Sequence, residues 1–168
     1  MIQSAVRGKL TVLGLGELHA SDDPDDVLAC IGLGSCVALC AYDPYARIGG
    51  MVHLVLPNSV EGRTNGSDAK FVNLGIPLLL QRMETLGAIR RRTAVKLVGG
   101  AHMIVVPGFE KMPNIGDRNV EAARIMIASL GLKLCGGDIG GNRGRTVRLF
   151  VASGQLTVST AGGPSVEI

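Results

Sequence analysis

The distribution of apolar residues constrains this chain more than any single motif does: short runs of Val, Leu and Ile sit near both ends, and two stretches of helical periodicity lie between them. Residues 10 to 16 and 27 to 33 are brief apolar stretches separated by the acidic, turn-prone Ser21-Asp22-Asp23-Pro24-Asp25-Asp26, which predicts two early strands. Cys36 to Tyr42 and Gly50 to Leu56, joined through Asp43-Pro44-Tyr45-Ala46-Arg47, predict a β-hairpin closed by Pro57. Phe71, Leu74, Leu78, Leu79, Met83 and Leu86 recur at steps of three and four. A helix should therefore open near Ser67 or Asp68 and end at Gly87, with a kink at Pro77. A strand is expected at 94 to 98, then a second helix over Asn114 to Gly131 with Val120, Ala123, Ile127 and Leu130 on one face. The end is strand-like again at Lys133 to Cys135, Val147 to Ala152 and Leu156 to Ser159, with the glycine-rich 136 to 144 read as a turn. Strands at both ends and helices between them predict an α+β fold of mostly antiparallel sheets flanked by helices, not a regularly alternating parallel sheet.

A length of 168 residues with 46% apolar content is enough for one core, so residues 1–168 read as a single domain. With 24 glycines and 3% aromatics the core must be built mainly from aliphatic side chains, and stacking platforms for single-stranded nucleic acid are lacking. The net charge of +3 is small, and the same reading expects no nucleic-acid partner. Arg90, Arg91 and Arg92 form the only dense basic run, a pattern that fits a solvated helix end or a docking patch for an acidic partner. Arg7, Lys9 and Glu17 interrupt any N-terminal apolar segment, and no stretch approaches eighteen apolar residues, so a cytoplasmic protein without membrane insertion is expected. Four cysteines at 30, 36, 40 and 135, without C-x-x-C spacing, read as reduced thiols.

The hairpin carries the chemistry. A turn centred between Pro44 and Tyr45 would place Cys36 directly across from His53, with Cβ atoms roughly 4.5–5.5 Å apart, within reach for proton transfer. A nearby imidazolium lowers a thiol pKa from about 8.5 and generates a nucleophilic thiolate. Gly32-Leu33-Gly34-Ser35 precedes Cys36, and a bend there could aim backbone N–H groups of Gly34 and Ser35 at an oxyanion, as amide hydrolysis requires. A buried core pair is the plainer reading of a lone Cys and His. Cys40 and Cys135 read as small core residues. Cys30, Cys36, Cys40 and His53 do not follow paired zinc-ligand spacings, so no metal is expected. His19 and His102 border apolar segments and are not needed for the chemistry. The glycine-rich stretches at 14 to 16 and 136 to 144 lack the continuation of a phosphate loop and read as turns.

Gly32-Leu33-Gly34-Ser35-Cys36-Val37-Ala38 through Asp43-Pro44, then Gly49-Gly50-Met51-Val52-His53 and Leu56-Pro57, resemble the CheD signature. Ile76-Pro77-Leu78-Leu79-Leu80, Lys96-Leu97-Val98-Gly99-Gly100-Ala101, Ile115-Gly116-Asp117-Arg118-Asn119 and Asp138-Ile139-Gly140-Gly141-Asn142-Arg143-Gly144-Arg145 resemble the family's later blocks, in order. The resemblance implies a layered α/β sandwich similar to the catalytic domain of cytotoxic necrotizing factor toxins. It also implies hydrolysis of chemoreceptor glutamine side chains to glutamate, with Cys36 as nucleophile, His53 as base and no cofactor. Chemoreceptor cytoplasmic domains and a CheC-type phosphatase are the implied partners, and an adaptor that binds both with little or no catalysis is the rival function. The family commonly places threonine six residues before the cysteine as a third catalytic member; Cys30 stands there instead, a weaker hydrogen-bond partner. At Lys70-Phe71-Val72-Asn73 relatives commonly carry tyrosine and aspartate, a difference that bears on substrate docking.

Overall fold

Among residues 8–59, 67–104 and 106–168, which the computed structural model describes, the strands sort into two five-stranded sheets. The outer sheet orders β1 (Leu10–Val12), β3 (Val27–Leu33), β8 (Arg145–Phe150), β9 (Leu156–Thr160) and β10 (Ser165–Glu167). The central sheet orders β2 (Leu18–Ser21), β5 (Ile48–Leu54), β4 (Val37–Asp43), β6 (Ala94–Gly99) and β7 (Lys133–Ile139). Only the β1–β3 and β6–β7 pairs are parallel. The helices α1 (Val72–Leu86) and α2 (Ile115–Ser129) both pack on the central sheet. This is the expected α+β sandwich of mostly antiparallel sheets, with both helices on one side.

Strand alternation explains the layering. Successive side chains of a strand point to opposite faces, so Val37, Leu39 and Ala41 of β4 join Val52, Leu54, Ile76, Leu79 and Ile127 in the core beneath the helices. Ala38 and Cys40 of the same strand join Cys30, Met51, Val147 and Leu149 in the core between the sheets. A strand covered on both faces reads as a continuous apolar run, which Val37-Ala38-Leu39-Cys40-Ala41 is.

Several boundaries depart from the sequence reading. β2 and β10 are short and mixed in polarity, so no periodic signal marks them. β7 runs on through Gly136 to Ile139, where a turn was expected. Pairing with β6 decides this: a Cβ at Gly137 would lie 2.1 Å from the Leu97 carbonyl oxygen, so glycine is what permits the close parallel approach. Cys135 is exposed, not a core residue, because β7 is an edge strand.

The hairpin register also differs. Asp43 pairs with Ile48 and Ala38 with His53, so the turn is centred between Tyr45 and Ala46, one position later than expected. Arg47 takes a left-handed φ of 55° to close this longer loop. Cys36 is therefore two positions out of opposition and lies diagonal to His53, on the same face; diagonal neighbours in a sheet are about 7–8 Å apart. Asp43 sets the turn. Its buried carboxylate accepts from the N–H groups of Tyr45 and Ala46 and, on the other oxygen, from Ile89 and the Arg92 guanidinium at 2.9 Å. Arg92 and Arg90 thus have partners within the chain, Arg90 pairing with Glu84 at 2.9 Å; the basic run forms a 3-10 turn, not a helix end.

Burial pushes the Asp43 carboxyl upward, but the donors from Ile89, Arg92, Ala46 and Tyr45 together outweigh it and hold its pKa below the ordinary value. A depressed carboxylate contributes stability above its unfolded pKa and loses it as the pH falls through the folded one. Asp43→Asn is expected to destabilise the fold by about 2 kcal/mol in urea unfolding at pH 7, and the gap to wild type should narrow below about pH 4.

Candidate active site at the start of β4

Cys36 is the last residue before β4, and the chain reaches it through an irregular approach. Between Cys30 and Leu33 the pairing of β3 with β8 slips by one extra residue, and Gly34 and Ser35 form a bend. The thiol is half-buried and packs against the core between the sheets. Burial pushes its pKa up, not down. This direction, set by burial, is opposite to the lowered pKa expected from the sequence.

His53 occupies the next-to-last position of β5, 5% exposed. The 13–17 loop, which carries the chain from β1 in the outer sheet to β2 in the central one, holds it from three directions. His53 N–H donates to the Glu17 carbonyl at 3.0 Å, Gly16 N–H donates to the His53 carbonyl at 3.0 Å, and the ring Nδ1 lies 3.1 Å from the Leu13 carbonyl oxygen. A carbonyl can only accept, so Nδ1 carries a proton, and in the neutral ring the lone pair falls on Nε2. Nε2 is buried and has no partner among the described residues, a costly condition that points to a reactive role.

Cys30 is fully buried in β3, and its thiol lies 3.5 Å from the Met51 sulfur. Burial first, and then the nearby Cys36 and Glu17, push its pKa up to about 12. The hydrogen bond that orients His53 comes from the Leu13 carbonyl, a backbone group that no residue pattern in the sequence announces. Cys40 is buried with its pKa pushed well up.

The carbonyls around Cys36 are all anchored. Gly34 C=O accepts from Ala101 N–H and Cys36 C=O from Gly100 N–H, each at 2.8 Å. The Asn119 amide donates to Ser35 C=O at 3.0 Å and to Val55 C=O at 2.9 Å. By contrast, the N–H groups of Gly34, Ser35 and Cys36 meet no acceptor among the described residues. Gly99 has a φ of 112°, and a Cβ there would lie 2.3 Å from the Cys36 carbonyl oxygen, so this turn tolerates only glycine. Arg145, buried in β8, donates to the Gly99 carbonyl at 3.0 Å and to that of Gly140, and pairs with Asp138 at 3.3 Å, tying the outer sheet to this turn.

The sequence reading missed Leu13, and Asn119 and Arg145 entered it only as members of matching blocks. A signal for Asn119 existed: it stands four residues before Ala123 and eight before Ile127, a polar side chain on the buried face of α2. His19 lies in β2 and His102 in the loop after β6, where its N–H donates to Gly141 C=O. A cavity of about 600 Å³ is lined by Leu13, Glu17, His19, Asp68 and Arg82, with neither Cys36 nor His53 on its wall. Met103, 53% exposed, lies instead beside Gly34, two residues before Cys36, its Cγ 3.3 Å from where a Gly34 Cβ would be. Among the described residues no group of three or more His, Cys, Asp or Glu is placed to hold a metal ion, and no helix is long and apolar enough to cross a membrane.

A half-buried thiol, a tautomer-fixed imidazole and free backbone donors make an arrangement suited to acyl transfer, and comparison with known proteins agrees with it. The family profile described as CheD chemotactic sensory transduction matches residues 55–160. A protein of Symbiobacterium thermophilum named "Probable chemoreceptor glutamine deamidase CheD" is 44% identical, covering 95% of this chain and 98% of that protein. Its namesake from Desulforamulus reducens is 36% identical over 90% of this chain and 91% of that protein. Among solved structures, the hypothetical protein YfiH of Bacillus licheniformis superposes with a TM-score of 0.46 at 13% identity, over 75% of this chain and 50% of that one. With its family profile matched across more than half its length and relatives this similar end to end, the chain belongs to the CheD family.

Proposed function

We propose that this protein hydrolyses glutamine side-chain amides on chemoreceptor cytoplasmic domains to glutamate, with Cys36 as nucleophile and His53 as general base. The observation that carries the reading is the state of His53: Nδ1 committed to the Leu13 carbonyl, Nε2 buried with its lone pair unused, and Cys36 diagonal to it across the hairpin. The names of the relatives supply the substrate class.

His53 Nε2 takes the Cys36 proton as the sulfur attacks the amide carbon, and the carbonyl oxygen becomes an oxyanion facing the free backbone N–H groups. The oxyanion collapses, the C–N bond breaks, and His53 returns the proton to the leaving nitrogen, which departs as ammonia. Water then attacks the thioester, giving its proton to Nε2; the C–S bond breaks, glutamate forms and Cys36 regains its proton. Burial disfavours a standing thiolate at Cys36, so His53 is needed to take the proton as the sulfur attacks. The Leu13 carbonyl stabilises the imidazolium that forms, the role a threonine would fill elsewhere in the family, so Cys30 contributes packing against Met51.

A second reading has its own support. Met103, Ile104, Val106, Phe109 and Met112 are all exposed in the segment between β6 and α2, apolar side chains of the kind that suit a protein partner, and the first of them, Met103, lies beside Gly34. Binding of a receptor domain and of a CheC-type phosphatase there is compatible with catalysis; an adaptor alone would bind both while leaving glutamine intact.

Incubation with a chemoreceptor cytoplasmic fragment should release ammonia and add one dalton per modified site. Cys36→Ala should abolish this, and His53→Ala should slow it by about 10²–10⁴-fold. Unmodified receptor after incubation with wild type, alongside tight binding, would transfer the reading to the adaptor. Cys30→Ala should keep activity within about tenfold of wild type, since the orienting carbonyl remains; a loss matching that of His53→Ala would restore Cys30 to the catalytic set. Alkylation of Cys36 by iodoacetamide should have a pH midpoint above that of a free thiol, about 8.5; a plateau already reached at neutral pH would contradict a neutral resting thiol.

A further inference from the structure

Resting on the reading of Cys36 as nucleophile, we infer that Asn119 is a positioning residue that aims the Cys36 N–H at the oxyanion of the tetrahedral intermediate. The β4–β5 ladder ends at Val37 and Leu54. One step further on, where Cys36 and Val55 would pair, no backbone bond joins the strands; the Asn119 amide spans the gap, one N–H to Ser35 C=O and the other to Val55 C=O. Asn119 is completely buried on α2, and its Oδ1 has no partner among the described residues. A polar side chain held this way is costly in a helix–sheet core, and both of its donors are spent at the nucleophile.

The consequence follows from peptide geometry. The described peptide bonds are all trans, so in each the N–H points opposite to the C=O. Asn119 draws the Ser35 carbonyl toward α2, which turns the Cys36 N–H away from α2. In the same way, the Ala101 N–H holds the Gly34 carbonyl and turns the Ser35 N–H away from Ala101. The donors so directed are those of Ser35 and Cys36, neither of which meets an acceptor among the described residues. Their carbonyls are fixed before substrate arrives, the condition under which oxyanion donors are most effective.

The test compares wild type with Asn119→Ala and with the near-isosteric Asn119→Asp, using a receptor fragment as substrate and iodoacetamide as a probe. Alkylation displaces iodide at a saturated carbon and forms no oxyanion, so both variants should alkylate Cys36 at the wild-type rate. For deamidation, kcat should fall about 10²-fold with KM little changed. Unchanged kcat, or alkylation falling in step with kcat, would overturn the inference and leave Asn119 a structural residue. If neither variant folds, wild type decides it: on adding a receptor peptide in which glutamate γ-semialdehyde, an aldehyde at the side-chain carbon, replaces glutamine, the Cys36 amide proton should shift downfield as the hemithioacetal oxygen forms, and an unmoved resonance would overturn the inference. A wild type that binds the aldehyde in this way but deamidates no receptor would sink the receptor reading and leave this one standing.

Discussion

The double burial of β4 governs the architecture. A strand covered by helices on one face and a second sheet on the other has no room for a polar side chain along its length, so reactive groups can stand only where it begins or ends. Cys36 stands at its beginning, and His53 stands near the end of the neighbouring β5, on the face toward the outer sheet. The 13–17 loop, crossing between the sheets at that spot, has to satisfy the groups left over, and it does so with its backbone.

That arrangement accounts for the electrostatics. Burial raises the Cys36 thiol and raises Cys30 and Cys40 further, which disfavours the thiolate at all three. The gradient follows depth: Cys40 and Cys30 belong to the core between the sheets, and Cys36 lies at its border. What separates Cys36 from the other two thiols is access, together with an imidazole whose Nε2 meets no partner among the described residues.

Much of this was legible in the sequence. The periodicities of α1 and α2 and the apolar run of β4 reflect which faces are buried, and burial is what a residue pattern records. The hairpin was found, but its register was misplaced by one turn position, because the Asp43 carboxylate favours a longer loop by capping Tyr45 and Ala46 while also binding Ile89 and Arg92 from a distant segment. The slip moved Cys36 from opposite His53 to diagonal and kept both on one face. The Leu13 carbonyl was invisible for a different reason: any residue at that position supplies the same oxygen. β7 was cut short because its glycines suggest a turn, whereas Gly137 serves the close approach of two backbones.

The most direct test of the account is to identify the attacking sulfur. A receptor peptide in which the diazoketone 6-diazo-5-oxonorleucine replaces the target glutamine presents an electrophilic carbon where the amide would lie. The account predicts one adduct per chain, on Cys36, formed far more slowly in His53→Ala. An adduct on the exposed Cys135, or an equal rate without His53, would contradict it.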